Sequence, residues 1–212
     1  MKKLIFLLSI LISTIFINGT IGVADSNINN SINEKILKEI YHINLIKEIE
    51  SESEITIPDY VDIKYIEYMY SLSKELSLST RMVFRLAYRE SSFVDTIVSP
   101  EGAQGFMQVM PDTYELYAKA LQVDTLNIDA NCKNIYIGLH MLKDLYNYWI
   151  EKGEPDKYSW VLSLACYNAG IGKVLFYNGV PPYKETIKYI GFVLKEHSIA
   201  TNVPLDNYLA NR

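Results

Sequence analysis

The sequence predicts a mainly α-helical domain that carries one small β-hairpin or ribbon. Apolar residues recur at helical spacing in most segments after residue 58, and a capping residue or a proline precedes several of them. One stretch, residues 95–110, instead places turn-forming residues between short β-prone pieces. Of the 212 residues, 49% are hydrophobic and 21% are charged, so enough apolar material is available for one compact core.

The first 24 residues have the layout of a secretory signal peptide. Lys2 and Lys3 precede an apolar run over residues 4–17, and the small residues Gly22 and Ala24 suit a signal peptidase. An uncleaved membrane anchor is the alternative, although the run is short for a bilayer crossing. We therefore predict a signal peptide that is cleaved after Ala24 and directs export.

Residues 25–57 are predicted to form a separate N-terminal piece. Apolar residues at helical spacing indicate an amphipathic helix over residues 32–50, and the acidic residues 51–54 suit a linker. Pro58 and Asp59 then supply a break and a helix start. The main domain is therefore expected to begin at about residue 58.

This main domain is expected to span residues 58–200, with a C-terminal tail over residues 201–212. Six of its segments have helical periodicity or residues that favour a helix start. The predicted helices cover residues 60–76, Ser79 or Thr80 toward Glu90, 111–120 with Pro111 in its first turn, 135–150, 158–168 and 183–196. The hairpin or ribbon lies between the second and third helices, where Pro100, Gly102 and Gly105 favour turns.

The net charge of -5 argues against a nucleic-acid-binding protein. Acidic and basic residues are interspersed, so no broad basic surface is available to neutralise a phosphate backbone. The 17 tyrosines suit stacking on sugars, but they suit ordinary packing equally well.

Cys132 and Cys166 are the two cysteines of the chain. Export to an oxidising compartment would permit a disulfide between them, and two small buried apolar residues are the alternative. Two thiols with no histidine nearby in sequence do not indicate a metal site, and no cofactor is predicted.

Glu90 is the first candidate for catalysis. A glutamate at the end of an apolar helix, followed by a loop with glycines, can have its pKa raised by desolvation and so keep a proton near neutral pH. Arg85 and Arg89 would favour the ionised form if they pointed inward. The alternative for an isolated glutamate at a helix end is a solvated surface charge.

Four blocks of residues give Glu90 a context. The blocks are Glu90-Ser91-Ser92-Phe93 with Ser99 and Gly102-Ala103-x-Gly105-Phe106-Met107-Gln108-Val109-Met110-Pro111-x-Thr113, then Asn134-Ile135-x-x-Gly138, Tyr167-Asn168-Ala169-Gly170 and Glu185-Thr186-x-x-Tyr189. In residues, order and spacing they resemble the soluble lytic transglycosylases, known as the SLT family. The resemblance covers roughly residues 60–195.

This resemblance implies a lysozyme-like fold, similar to goose-type lysozyme, with the small β element beside the active-site cleft. The family cleaves the β-1,4 bond between N-acetylmuramic acid and N-acetylglucosamine and releases a 1,6-anhydro sugar. Glu90 occupies the position of the catalytic acid, which also acts as the base. The expected protein is thus a monomer that acts on peptidoglycan strands in the periplasm or cell envelope, without a cofactor or metal.

The same resemblance assigns roles to residues around Glu90. Ser99 and Tyr167 are expected to hydrogen-bond the catalytic carboxyl, with a turn serine and a core tyrosine as the alternatives. The residues expected to contact substrate are Gln108 through its amide, Met107 and Met110 as an apolar wall, Asn168 in a close turn, and Glu185 near the peptide stem. For the two methionines the alternative is core packing, and for Glu185 it is a helix-start acid.

Some alternatives stay open at this point. Asp95 stands where relatives usually have proline, and it could act as a second catalytic carboxylate, as hydrolytic glycosidases require. The other candidates are a lysozyme-type hydrolase of the same fold and a non-catalytic glycan-binding module. Docking of the N-terminal helix to a secretion, conjugation or flagellar machine is a further hypothesis.

Overall fold

A computed structural model describes residues 26–195 of the chain. The predicted signal peptide at residues 1–24 and the predicted tail at residues 201–212 lie outside the described residues. The described part contains eight α-helices and one 3-10 turn at Val123–Thr125. The helices are α1 Ser26–Ser53, α2 Ile63–Glu75, α3 Thr80–Ser91, α4 Pro111–Ala120, α5 Ala130–Glu151, α6 Asp156–Ala169, α7 Ile171–Tyr177 and α8 Lys184–Leu194.

The described part of the chain separates into two compact units, with the boundary after residue 48. In the described part, the first unit consists of helix α1 up to residue 48, and the second contains the end of α1 and all other helices. Helix α1 extends beyond the predicted helix at both ends, since residues 26–31 are helical and residues 51–53 are helical instead of forming a linker. The guanidinium of Arg85 stabilises the C-terminal end of α1, because it donates a hydrogen bond to the carbonyl oxygen of Ser53 at 2.8 Å. It also donates to the carbonyl oxygen of Phe192 at 2.7 Å.

Helix α3 forms the centre of the second unit. Of the two predicted caps, Ser79 and Thr80, it is Ser79 that caps the helix, by accepting a hydrogen bond from the backbone N–H of Met82 at 3.4 Å. Its residues 82–87 are all buried, and the helix ends where Ser92 adopts a left-handed conformation with φ 51°. Glu90 is therefore fixed in the last turn of a helix that the core holds on several sides.

The β-hairpin predicted within residues 95–110 is wrong, since no strand is present among residues 26–195. The β-type pairing in this segment consists of two isolated antiparallel bridges, Val98 with Gln104 and Gln104 with Val109. Left-handed backbone conformations at Gly102 (φ 93°), Gly105 (φ 75°) and Gln108 (φ 45°) turn the chain too often for a continuous ladder. The segment is a compact loop.

The helices after this loop bring distant parts of the sequence together. Helix α6 packs against α5, α7 and α8, and α8 also packs against α3. Helix α4 has the predicted bounds, whereas α5 begins at Ala130, before the predicted start, because Asp129 caps it through the backbone N–H of Cys132. Helix α7, at Ile171–Tyr177, is absent from the predicted helices. Its short length and its glycine at position 172 gave no helical signal.

Candidate active site

Glu90 lines a cleft of about 570 Å³ that lies between the loop after α3 and the start of α8. The cleft brings together residues from four separate stretches of sequence. It is lined by Arg89, Glu90, Ser99, Pro100, Glu101, Ala103, Gln108, Met110, Tyr167, Asn168, Ala169, Tyr183, Glu185, Thr186 and Tyr189. Six residues expected from the sequence to form the site are therefore neighbours of Glu90 around one cleft: Ser99, Gln108, Met110, Tyr167, Asn168 and Glu185.

Burial raises the pKa of Glu90 from its ordinary value of 4.5 to about 7. A hydrogen bond from Tyr189 and the charge of Arg89 act in the opposite direction, and the charge of Glu185 raises the pKa further. Arg85 does not face the cleft, because backbone carbonyl groups occupy its guanidinium. The carboxyl is therefore a group that holds a proton near neutral pH yet can also release it.

Tyr189 is the residue that hydrogen-bonds this carboxyl. Its hydroxyl donates to Oε1 of Glu90, and its side chain is only 2% exposed. Tyr189 belongs to the block Glu185-Thr186-x-x-Tyr189, which resembles the SLT family, but the sequence alone assigns it no role. The signal was present in the spacing, since the position three residues after Thr186 faces the same side of a helix.

Ser99 and Tyr167 line the cleft, but they do not make the predicted hydrogen bonds to Glu90. The hydroxyl of Tyr167 donates to the carbonyl oxygen of Met107 at 2.8 Å. The Oγ of Ser99 accepts from the backbone N–H of Ala103 at 3.1 Å. Burial, followed by the charge of Glu90, raises the pKa of Tyr167 well above its ordinary value, so this phenol stays protonated beside the carboxyl.

Of the two methionines predicted as an apolar wall, Met110 lines the cleft and Met107 does not. Met110 is 42% exposed, whereas Met107 has no exposed surface. A Cβ added to Gly138 would lie 2.4 Å from the Cβ of Met107, which shows how closely α5 packs on this residue. Met107 is thus a core residue beneath the cleft, in agreement with the alternative interpretation.

Gln108 lines the cleft with a backbone held at φ 45°. Its Nε2 donates to the carbonyl oxygens of Ile97 at 3.1 Å and Gly105 at 3.0 Å. The amide nitrogen therefore braces the loop, and the amide oxygen is the atom left to accept a hydrogen bond from a ligand.

Asn134 holds the same loop from below. Its Oδ1 accepts from the backbone N–H of Met107 at 2.9 Å, and its Nδ2 donates to the carbonyl oxygen of Gln104 at 2.9 Å. Ser91 adds a third support, because its hydroxyl donates to the carbonyl oxygen of Phe106 at 2.9 Å. Asn134 belongs to one of the four blocks that resemble the SLT family, but the sequence alone assigns it no role. The structure shows that it supports the loop.

Asn168 and Glu185 occupy the far wall of the cleft. The Oδ1 of Asn168 accepts from the hydroxyl of Thr186 at 2.8 Å, which ties the end of α6 to the first turn of α8. Glu185 is exposed, and so is Glu101 across the cleft. Among the described residues that line the cleft, there are thus three carboxyl groups, including Glu90, and one cation, Arg89.

Asp95 lies away from this cleft. It lines a second cavity of about 290 Å³ with residues such as Tyr65 and Phe106. Its Oδ2 accepts a hydrogen bond from Nδ2 of Asn131 at 2.7 Å, and the same nitrogen reaches the hydroxyl of Tyr65 at 2.9 Å. Asp95 is thus part of a polar cluster in that cavity.

Cys132 and Cys166 are both buried, and neither forms a disulfide. Burial raises the pKa of each thiol to about 11, so both behave as small apolar residues. Within residues 26–195, no group of three His, Cys, Asp or Glu side chains could hold a metal ion. No helix in that range is long and apolar enough to cross a membrane.

Comparison with known proteins identifies the family to which this chain belongs. The transglycosylase SLT domain matches residues 67–190. The membrane-bound lytic murein transglycosylase C of Haemophilus ducreyi is 27% identical over 128 residues, which is 56% of this chain and 35% of that protein. The chain thus spans about a third of the length of this curated relative.

Two solved structures share the fold. The 70 kDa soluble lytic transglycosylase of Escherichia coli has a TM-score of 0.51 and 24% identity, over 64% of this chain and 24% of that chain. An inactive mutant of the lytic transglycosylase Slt of Pseudomonas aeruginosa has a TM-score of 0.50 and 22% identity, over 82% of this chain and 30% of that chain. Since the family matches more than half of the sequence, this chain belongs to the transglycosylase SLT domain family.

Proposed function

We propose that this chain is a lytic transglycosylase that cleaves the β-1,4 bond between N-acetylmuramic acid and N-acetylglucosamine in peptidoglycan and leaves a 1,6-anhydro end. One observation carries the proposal. Glu90 combines a pKa of about 7 with a place in an open cleft and a hydrogen bond from a buried tyrosine. A carboxyl group with these properties is suited to give a proton to a leaving oxygen and then to take one back.

The reaction would use Glu90 twice. The protonated carboxyl donates its proton to the glycosidic oxygen, and the bond between that oxygen and the anomeric carbon breaks. The resulting carboxylate then removes the proton from the 6-hydroxyl of the muramic acid, whose oxygen bonds to the anomeric carbon. No water is consumed, and Glu90 returns to its protonated form.

A single carboxyl group suffices because the substrate supplies the nucleophile. Glycosidases that add water generally need a second carboxylate beside the scissile bond. The natural candidate from the sequence, Asp95, belongs to the second cavity and to the cluster with Asn131. Burial, with a smaller contribution from the charge of Glu185, raises the pKa of Glu90 and would keep the acid protonated until the substrate arrives.

The remaining cleft residues would bind and orient the sugar. Gln108 offers its amide oxygen to hydroxyl or N-acetyl groups, and Ser99, in the same loop, offers a hydroxyl group. Met110 supplies an apolar patch for a sugar face. Tyr167 would act through the loop, since its hydroxyl fixes the carbonyl group of Met107 next to Gln108.

The proposed place of action is the cell envelope, where peptidoglycan lies. Residues 1–24 would direct export, and the enzyme would act there on glycan strands as a monomer. Docking of the N-terminal helix to an envelope machine remains a hypothesis.

The proposal is tested by incubating purified peptidoglycan with the unaltered protein, with Glu90→Gln, and with Glu115→Gln as a matched control. Glu115 is exposed on α4 and does not line the cleft. We expect the unaltered protein and Glu115→Gln to release fragments that mass spectrometry finds lighter by one water than hydrolysis products. Glu90→Gln should be slower by a factor on the order of 10² to 10⁴.

Each alternative has its own outcome. Fragments that contain the added water would indicate a lysozyme-type hydrolase of the same fold. Absence of soluble fragments from the unaltered protein would favour a glycan-binding module. Full activity of Glu90→Gln would remove Glu90 from the role of the acid.

A further inference from the structure

Helix α7 turns most of its large apolar side chains toward solvent. Of its seven residues, only Val174 is buried. The exposed large apolar side chains are Ile171 at 39%, Leu175 at 52%, Phe176 at 79% and Tyr177 at 42%. A contiguous cluster of solvent-exposed apolar side chains marks a binding surface more often than single exposed apolar residues do.

Three aromatic rings connect this surface to the cleft. Tyr183 lines the cleft. The ring of Tyr177 lies 5.8 Å from that of Tyr183, measured between centroids, at an interplanar angle of 82°. The ring of Phe176 lies 5.0 Å from that of Tyr177 at 85°. Tyr183, Tyr177 and Phe176 therefore form a continuous aromatic track that leads from the cleft to the C-terminal end of α7.

The backbone holds this track in place before any ligand binds. The N–H of Tyr183 donates to the carbonyl oxygen of Pro181 at 2.7 Å, and the N–H of Gly179 donates to that of Val174 at 3.0 Å. Val174 has no exposed surface and anchors α7 to the core. The backbone that carries the track is thus preorganised, which lowers the entropic cost of binding.

The chemistry of the track fits a sugar polymer. A pyranose ring has apolar C–H faces and a rim of hydroxyl groups, so it can stack on an aromatic ring and hydrogen-bond a phenol at the same time. The side chains of Tyr183 and Tyr177 hydrogen-bond each other, and each phenol oxygen can still accept a hydrogen bond from a sugar hydroxyl group, whereas Phe176 offers stacking alone. Lys173, exposed on the same helix, would meet the carboxylate groups of a peptide stem.

We propose that the aromatic track of Tyr183, Tyr177 and Phe176 is an extended subsite that binds the glycan strand as it continues beyond the cleft. The inference rests on the proposed function, because the strand that occupies the cleft is the ligand that reaches the track. Continuity with the cleft selects a glycan over a protein partner. The track would thus make the enzyme prefer long strands to short fragments.

Phe176→Ala tests this, with Phe176→Trp as the conservative replacement and Leu116→Ala as the matched control. Leu116 is 66% exposed on α4 and does not line the cleft. The first readout is the ratio of kcat/KM for long strands to kcat/KM for a peptidoglycan tetrasaccharide. The second is cosedimentation with insoluble peptidoglycan, measured for each change in a Glu90→Gln background.

For Phe176→Ala we expect the ratio and the affinity for insoluble peptidoglycan to fall about three- to tenfold, as loss of one stacked ring predicts. Phe176→Trp should restore both, and Leu116→Ala should change neither. An unchanged ratio and affinity in Phe176→Ala would overturn the inference, as would equal losses in Leu116→Ala, which would indicate nonspecific apolar adsorption.

The outcome is separable from that of the proposed function. If the unaltered protein cuts peptidoglycan while Phe176→Ala matches it in both readouts, the inference fails and the proposed function stands. If the unaltered protein releases no fragments while Phe176→Ala still weakens cosedimentation, the proposed function fails and the track is upheld as a glycan-binding surface.

Discussion

The hydroxyl of Tyr189 donates a hydrogen bond to Oε1 of Glu90 and so joins helix α8 to the last turn of α3. The two residues are 99 positions apart in the sequence. The bond favours the carboxylate and therefore lowers the pKa that burial raises. Two opposed effects of the fold thus hold the pKa of Glu90 near neutral, where an acid that must also act as a base is most useful.

Tyr189→Phe should move the pH profile of cleavage to higher pH. The change removes the hydrogen bond that lowers the pKa of Glu90, so this pKa should rise above about 7. Activity that depends on the protonated acid then persists to higher pH on the alkaline side. We expect kcat at neutral pH to fall at the same time, because the carboxyl loses the group that orients it.

The matched control for this change is Tyr167→Phe. Tyr167 lines the same cleft, but its hydroxyl bonds the carbonyl oxygen of Met107 instead of Glu90. The alkaline limb of the pH profile of Tyr167→Phe should therefore lie at the same pH as that of the unaltered protein. An alkaline limb that stays in place or moves to lower pH in Tyr189→Phe would contradict the role of this bond.

Glu90→Gln should make stability less dependent on pH. Since the pKa of Glu90 is higher in the folded protein, at about 7, than its ordinary value of 4.5, the folded state binds more protons between these values. The free energy of unfolding of the unaltered protein therefore falls as the pH rises through this window. Glutamine does not titrate, so the variant should gain about 3 kcal/mol relative to the unaltered protein between pH 4 and pH 8.

Urea unfolding of both proteins at a series of pH values measures this difference. The relative gain should be confined to the window between the two pKa values and should level off on either side. A difference that stays constant across the whole range would mean that burial does not raise the pKa of Glu90.

The part of this structure that the sequence predicts well is the part governed by local rules. Such local patterns are the cap at Ser79 or Thr80, Pro111 at a helix start and the apolar face of α3, and each places its element correctly. The hairpin fails for a related reason. Pro100, Gly102 and Gly105 correctly indicated turns, but residues 95–110 have too many turns to leave room for strands.

The contacts of the site depend on packing between distant helices, which a single sequence does not encode locally. Tyr167 and Tyr189 both reach the region of Glu90, and only the relative position of α6 and α8 decides which hydroxyl meets the carboxyl. Met107 and Met110 are close in the same loop, yet one is fully buried and the other is exposed. Residue type alone gives no basis for that choice.

Gly138→Ala should damage both stability and the cleft. The added Cβ would lie 2.4 Å from the Cβ of Met107 and 3.0 Å from the hydroxyl of Tyr167, so the loop that carries Gln108 must shift. We expect a loss of about 1 to 3 kcal/mol in the free energy of unfolding, as overpacking of a core typically costs. Chemical denaturation measures the loss, and KM for peptidoglycan should rise.

Gly172→Ala is the matched control, because nothing lies within 4 Å of the Cβ that it adds. Alanine is also the better helix former, so stability should stay equal or rise by up to about 1 kcal/mol. A Gly138→Ala protein as stable as Gly172→Ala would show that α5 and the loop do not pack as tightly as the distances indicate.

Asp95→Asn should leave the product of cleavage unchanged. If Asp95 activated water, its loss would abolish cutting or convert a hydrolase into an anhydro-forming enzyme. Its carboxylate, however, accepts from Asn131 in a cavity that shares no lining residue with the cleft of Glu90. Removing its charge should therefore change kcat by less than about twofold, within the range of substitutions remote from the reacting atoms. Mass spectrometry of the released fragments checks the product, and a loss of activity as large as that of Glu90→Gln would restore Asp95 as a second catalytic carboxylate.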